Sequence, residues 1–192
     1  GSLVGLQGFR ALDALGVEAL TGFITAYFNT RSIAPLVAAS ALTATLGAGF
    51  TAQLGAMRIS EEIDALRIMS IPPIRFLVLP RMVALTLVTP VMTIFAAFIG
   101  ILGGSLVANS QFDVGWLAYR TDALESLEFR DVFTGMLKSV VFGITIATVG
   151  CTQGLLTRGG ATGVGQAARR SVVVSFLLVI ILGYYISWSF LS

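Results

Sequence analysis

No histidine occurs in this 192-residue chain, and its one cysteine, Cys151, is set in an apolar run. A disulfide framework and a His/Cys metal site are thereby excluded, and no metal ligands are expected. Charge is scarce as well: 11% of the residues are charged, where a soluble domain averages about 25%. The net charge of +2 is too small and too scattered for a nucleic-acid partner. A phosphate loop is also missing. Gly135–Ser139 (GMLKS) has the Lys-Ser pair without the Gly-x-x-x-x-Gly-Lys spacing, so an ATPase within this chain is excluded. No segment reads as a signal peptide with a basic start and a cleavage site.

What is present is apolar. Hydrophobic residues make up 56% of the chain, and the mean hydropathy is +0.90. The composition predicts an integral membrane protein with room for four or five spans of roughly 20 residues each, and the runs that follow read as an all-α single domain, residues 1–192, of five transmembrane helices. Leu3–Phe9 reads as the end of a first span that is incomplete here. The chain enters partway into an apolar segment, so its natural N-terminus is expected upstream. A polar turn follows around Arg10, Asp13 and Glu18. Leu20–Leu54 is then apolar apart from Arg31. Thirty-five helical residues measure about 52 Å, more than a ~30 Å hydrocarbon core, so this second span must tilt, kink near Pro35 or project. Met82–Ala108 gives the third span. Its Gly100, Gly103 and Gly104 read equally as a close-packing face or as ordinary glycine enrichment of membrane helices. Val132–Leu156 is the fourth span, interrupted by Lys138, and the uncharged Ser171–Ser192 is the fifth.

Between the second and third spans lies Met57–Arg81, MRISEEIDALRIMSIPPIRFLVLPR, with seven charged residues between two charge-free runs. Ser60 suits an N-cap, Glu61 and Glu62 suit the first turn of a helix, and Pro72-Pro73 ends it. Ile63, Leu66 and Met69/Ser70 recur at three-to-four-residue spacing as one narrow apolar stripe. Residues 58–71 therefore read as a short docking helix at the membrane surface. That loop carries four arginines and the Gly-rich loop Thr157–Arg170 three, whereas residues 109–131 hold five acids against two arginines. Trp116 and Tyr119 fit an interfacial aromatic belt there. Short basic loops stay in the cytoplasm. The expected topology puts both basic loops inside, and residues 109–131 and the C-terminus outside.

Candidate chemistry is sparse. GVGQAA (Gly163–Ala168) has the letters of a dinucleotide fingerprint without the βαβ context, and reads as a flexible turn before a helix. A Ser–Lys dyad at Lys138 has no supporting residues. Arg31 and Lys138 are basic groups within membrane spans, where each costs about 2.5–3.5 kcal/mol at the bilayer centre. Two readings stay open: they line a cavity for an anionic lipid head, or they snorkel to the outer interface.

At Met57–Arg81 the chain resembles the MlaE/YrbE permeases, the membrane subunits of ABC transporters that move lipids with MCE proteins. Their pattern GxMRxxEQIDALxxMxIxPxRxLVxPR is matched at Gly55, Met57, Arg58, Glu61, Ile63, Asp64, Ala65, Leu66, Met69, Ile71, Pro73, Arg75, Leu77, Val78, Pro80 and Arg81. Glu62 in place of Gln, and Ala48–Met57, are most similar to the Mce-associated branch. KSVVFG (Lys138–Gly143) and Cys151–Val173 resemble two further family blocks, so the likeness covers nearly the whole chain. Relatives open on an interfacial helix and a complete first span. Ser32 stands where many have Glu, and Gly183 where many have Asp.

The resemblance implies a permease subunit in a bacterial plasma membrane that is not itself an enzyme. Its partners would be a second permease chain, identical or paralogous, a cytoplasmic ABC ATPase dimer that binds ATP and Mg, extracytoplasmic MCE proteins and a lipid substrate. No cofactor would bind this chain. The coupling helix would comprise Ser60, Glu61, Glu62, Ile63, Asp64, Leu66 and Arg67, and the lipid pathway would pass Arg31, Ser32 and Lys138. The competing reading, an ATP-independent secondary transporter or channel, is weakened by the lack of an inverted repeat and of paired intramembrane acids. A membrane enzyme would need an acid/base constellation that the chain does not display.

Overall fold

A computed structural model describes residues 26–112, 121 and 129–191, and all regular structure among them is helical. Four helices are long and apolar enough to cross a membrane: α1 (Ala26–Ile59), α3 (Ile74–Asn109), α4 (Phe129–Leu155) and α5 (Gly160–Phe190). Between α1 and α3 lies the short helix α2 (Glu62–Ile68). The expected first span at Leu3–Phe9, the turn at Arg10, Asp13 and Glu18, and the belt residues Trp116 and Tyr119 lie outside the described residues.

Many side-chain hydroxyls of these helices are satisfied within their own helix, as an apolar solvent favours. Thr43, Thr86, Thr89, Thr145, Thr148 and Thr152 each donate the hydroxyl to the carbonyl four residues back, at 2.6–2.8 Å. Threonine is thereby made compatible with the spans.

Pro35 does not break α1. Instead the turn before it, Asn29–Ile33, is wound as a π-turn. The same device recurs at the start of α3, where the π-turn Ile74–Val78 ends two residues before Pro80. A proline ring collides with the carbonyl four residues back and offers it no N–H. A wider turn accommodates that collision while the helix continues. A third π-turn, Thr43–Gly47, has no proline after it, and its widening has no such cause.

The chain divides into two compact units, and α1, α3 and α4 each contribute to both. The first comprises Gly1–Val37 and Val91–Leu137, the second Ala38–Pro90 and Lys138–Ser192. In the first unit, Asn29 is buried and its Nδ2 donates to the Ala97 carbonyl at 3.0 Å. A Cβ on Gly100 would meet the Asn29 amide, its carbon at 2.7 Å, so this glycine of the third span serves close packing.

The second unit has two apolar clusters. Ala39, Leu85, Phe142, Ile146, Ala147 and Val179 form one, and Leu54, Ile63, Leu77 and Cys151 the other. Between them α1 and α4 approach at backbone distance. Thr51 donates to the Gly150 carbonyl at 3.0 Å, and a Cβ on Gly154 would lie 2.7 Å from that of Leu54.

α5 begins at Gly160, eleven residues before the expected Ser171. GVGQAA (Gly163–Ala168) is therefore helical and is not the flexible turn that its glycines suggest. The turn sits at Leu156–Gly159, where Gly159 takes φ +88°.

Candidate functional site

α2 is held between two left-handed residues. Ser60 ends α1, its N–H donating to the Ala56 carbonyl at 2.9 Å, and Glu61 follows at φ +62°. One residue thus turns the chain out of α1 and opens α2, its carbonyl accepting from the N–H groups of Asp64 and Ala65. The expected N-cap is corrected here. Ser60 belongs to the end of α1, its hydroxyl 3.1 Å from the Ala56 carbonyl and 3.0 Å from the Glu62 carboxylate. Glu61 is the cap residue and makes no side-chain cap bond, so the acids of the first turn are Glu62 and Asp64. At the other end, the Ile71 N–H reaches the Leu66 carbonyl and the Ser70 N–H reaches that of Arg67, both at 3.0 Å. This is a Schellman closure with Ser70, at φ +60°, in the place usually held by glycine. Pro72-Pro73 comes after that stop.

One face of α2 is bound to the second unit. Ile63 is fully buried against Leu54, Leu77 and Cys151, and Leu66 packs at the edge of that cluster. Asp64 is clamped by Arg58 at 2.7 Å and Arg67 at 3.3 Å. The acid is therefore engaged within the chain, while Glu61 and Glu62 remain exposed. The apolar stripe also ends sooner than its spacing suggests. Met69 is 61% exposed and its neighbour Ile68 86%, so two large apolar side chains project from the tip of α2. Ile68 lies off the stripe, and the only sign of it in the sequence is an apolar residue on the polar side of a short helix.

Arg31 and Lys138 belong to different units. Within the first, the Arg31 guanidinium lies 3.4 Å from the Asp131 carboxylate, 5.4 Å over the Tyr27 ring, and hydrogen-bonds the Tyr27 hydroxyl. Asp131, which the sequence groups with the polar segment 109–131, is 5% exposed in the first turn of α4. The carboxylate facing Arg31 thus comes from a residue 100 positions away, while the neighbouring Ser32 is exposed. Lys138 is 2% exposed, so its ammonium is enclosed by protein and does not snorkel out of the fold.

Residues 1–189 match the family described as Permease MlaE. The chain belongs to that family. It is 34% identical to a probable ABC transporter permease protein of Synechocystis over 98% of its length and 72% of the relative's. A probable ABC transporter permease protein of Rickettsia prowazekii is 33% identical over 97% and 72% of the two chains. The chloroplastic protein TRIGALACTOSYLDIACYLGLYCEROL 1 of Arabidopsis thaliana is 30% identical over 95% of this chain and 52% of its own. As an MlaE-family permease the chain is a membrane protein of ABC-transporter type. The short helix and the Arg31 pair both fall within the matched region, as does the basic end of the second unit.

Proposed function

We propose that this permease is the membrane-spanning subunit of an ATP-driven, MCE-type lipid transporter. The observation that carries the reading is α2, a clamped helix between two spans with Ile68 and Met69 bare at its tip. A chain with no nucleotide-binding motif must receive energy through a surface, and a short helix with Ile68 and Met69 bare at its C-terminal tip and Glu61 and Glu62 exposed at its start suits the groove of a cytoplasmic ATPase that binds ATP and Mg. The basic loops then face the cytoplasm, as their arginines favour, and residues 109–131 and the C-terminus face out. A second permease chain, identical or paralogous, completes the lipid path, with MCE proteins on the outer side. One relative carries the name of a diacylglycerol glycolipid, which supports lipid as the cargo. Arg31, Ser32 and Lys138 are the pathway residues of this reading, and Asp131 holds Arg31 in place.

The intact complex, isolated from its membrane and analysed by mass spectrometry, tests this. A nucleotide-binding subunit in fixed ratio and a bound lipid are expected. Movement of lipid analogues by this chain in proteoliposomes without any ATPase would support the secondary-transporter reading instead.

A further inference from the structure

Two clefts adjoin at the end of the second unit where α1 and α4 finish and α3 and α5 begin. The larger, about 460 Å³, is lined by Arg58, Arg67 and Arg158 together with apolar groups that include Ile63, Ile74 and Leu156. The smaller, about 330 Å³, shares Leu156, Thr157 and Arg158 and adds Arg170, Gln153 and Gln166. No Asp or Glu lines either cleft. Asp64 neutralises part of the charge through Arg58 and Arg67. The side chains of Arg158 and Arg170 make no hydrogen bond or ion pair among the described residues. Three arginines therefore line the larger cleft and two the smaller, with Arg158 common to both.

Two features sharpen the site. The Arg158 carbonyl folds onto the first turn of α5 so closely that any side chain at Gly163 would collide with it, so the turn that lines both clefts requires glycine there. Beside the guanidiniums, Ile74 and Leu156 are 67% and 65% exposed at the ends of membrane-crossing helices. A phosphate would suit the guanidinium forks, and acyl chains would cover the two apolar side chains. The bland alternative is that these arginines only orient the chain in the bilayer. Arg75 and Arg169 are the internal comparison, being equally basic, exposed, and outside both clefts.

We infer that the paired cleft is a binding site for an anionic phospholipid of the adjacent leaflet, held by its phosphate on Arg158 and Arg170. Such basic pockets between membrane helices suit anionic headgroups. The inference does not rest on the proposed transport function and holds whether or not the protein carries lipid.

The test places the full chain in phosphatidylcholine nanodiscs doped with photoactivatable phosphatidylglycerol. In the unaltered chain the label is expected on peptides spanning residues 153–170. Labelling there should fall roughly tenfold in Arg158→Gln/Arg170→Gln. Arg75→Gln/Arg169→Gln, with the same change in net charge, should stay within about twofold of the parent, because contacts made outside the cleft carry little of the affinity. Inorganic phosphate should not compete. Label mapping elsewhere in the unaltered chain overturns the site even if the variant fails to fold. Equal losses in the two variant pairs, no loss in either, or displacement by inorganic phosphate would each overturn it too, the last indicating a free-phosphate site.

Discussion

Arg31 and Asp131 show how much a distant partner adds to the reading of a residue. A lone arginine in an apolar run invites a functional role, yet this guanidinium has a carboxylate at 3.4 Å and the Tyr27 ring beneath it. Removing one member of a buried pair strands the other's charge, at a cost of about 3–5 kcal/mol. Asp131→Ala is therefore expected to destabilise the protein by about 3 kcal/mol, read by reversible denaturation in detergent micelles. Arg31→Ala/Asp131→Ala should lose clearly less than the two single changes summed. Additive losses would mean that the two groups do not act as a pair. Nothing local announces this contact, because its partners are 100 residues apart and Asp131 reads as one more acid of a polar segment. Arg31 was legible as unusual; its partner was not.

Helices were legible wherever apolar runs were long, since a ~30 Å core leaves few alternatives for a chain this poor in charge. The ends were harder. GVGQAA reads as a turn by composition, yet it is helical because Gly163 leaves room for the Arg158 carbonyl and the helix continues into a span. α2 was legible as an element from its prolines and acids, whereas its two stops were not. Glu61 and Ser70 adopt left-handed conformations that composition favours only for glycine or asparagine. Ser70→Val should accordingly cost about 1–2 kcal/mol, with Ser70→Gly close to neutral, as measured by thermal unfolding. Equal tolerance of both would place the strain elsewhere. The apolar half of the helix has its own test. Ile63→Ala empties a fully buried site, and a loss of about 2–5 kcal/mol is expected, with faster proteolysis within residues 58–71. A loss below about 1 kcal/mol would show that α2 is not anchored by this contact.

For the molecule as a whole, the central claim is that α2 transmits work from a separate ATPase into the spans. Its construction supports that task. Ile63 and the Asp64 clamp tie it to the second unit, and two apolar side chains at the tip are left for a partner. Energy released beneath the membrane can reach the helices only through a contact that is rigid on one side and complementary on the other. On that claim the apolar tip would supply most of the contact's affinity and the exposed acids would tune it. The direct measurement is co-purification and ATP hydrolysis of the assembled transporter carrying Ile68→Asp/Met69→Asp, beside Glu61→Lys/Glu62→Lys. The account predicts normal membrane insertion in both, loss of the ATPase subunit in the first, and ATP hydrolysis uncoupled from lipid movement in the second. An Ile68→Asp/Met69→Asp complex that keeps its ATPase in full ratio and transports at the parental rate would contradict it.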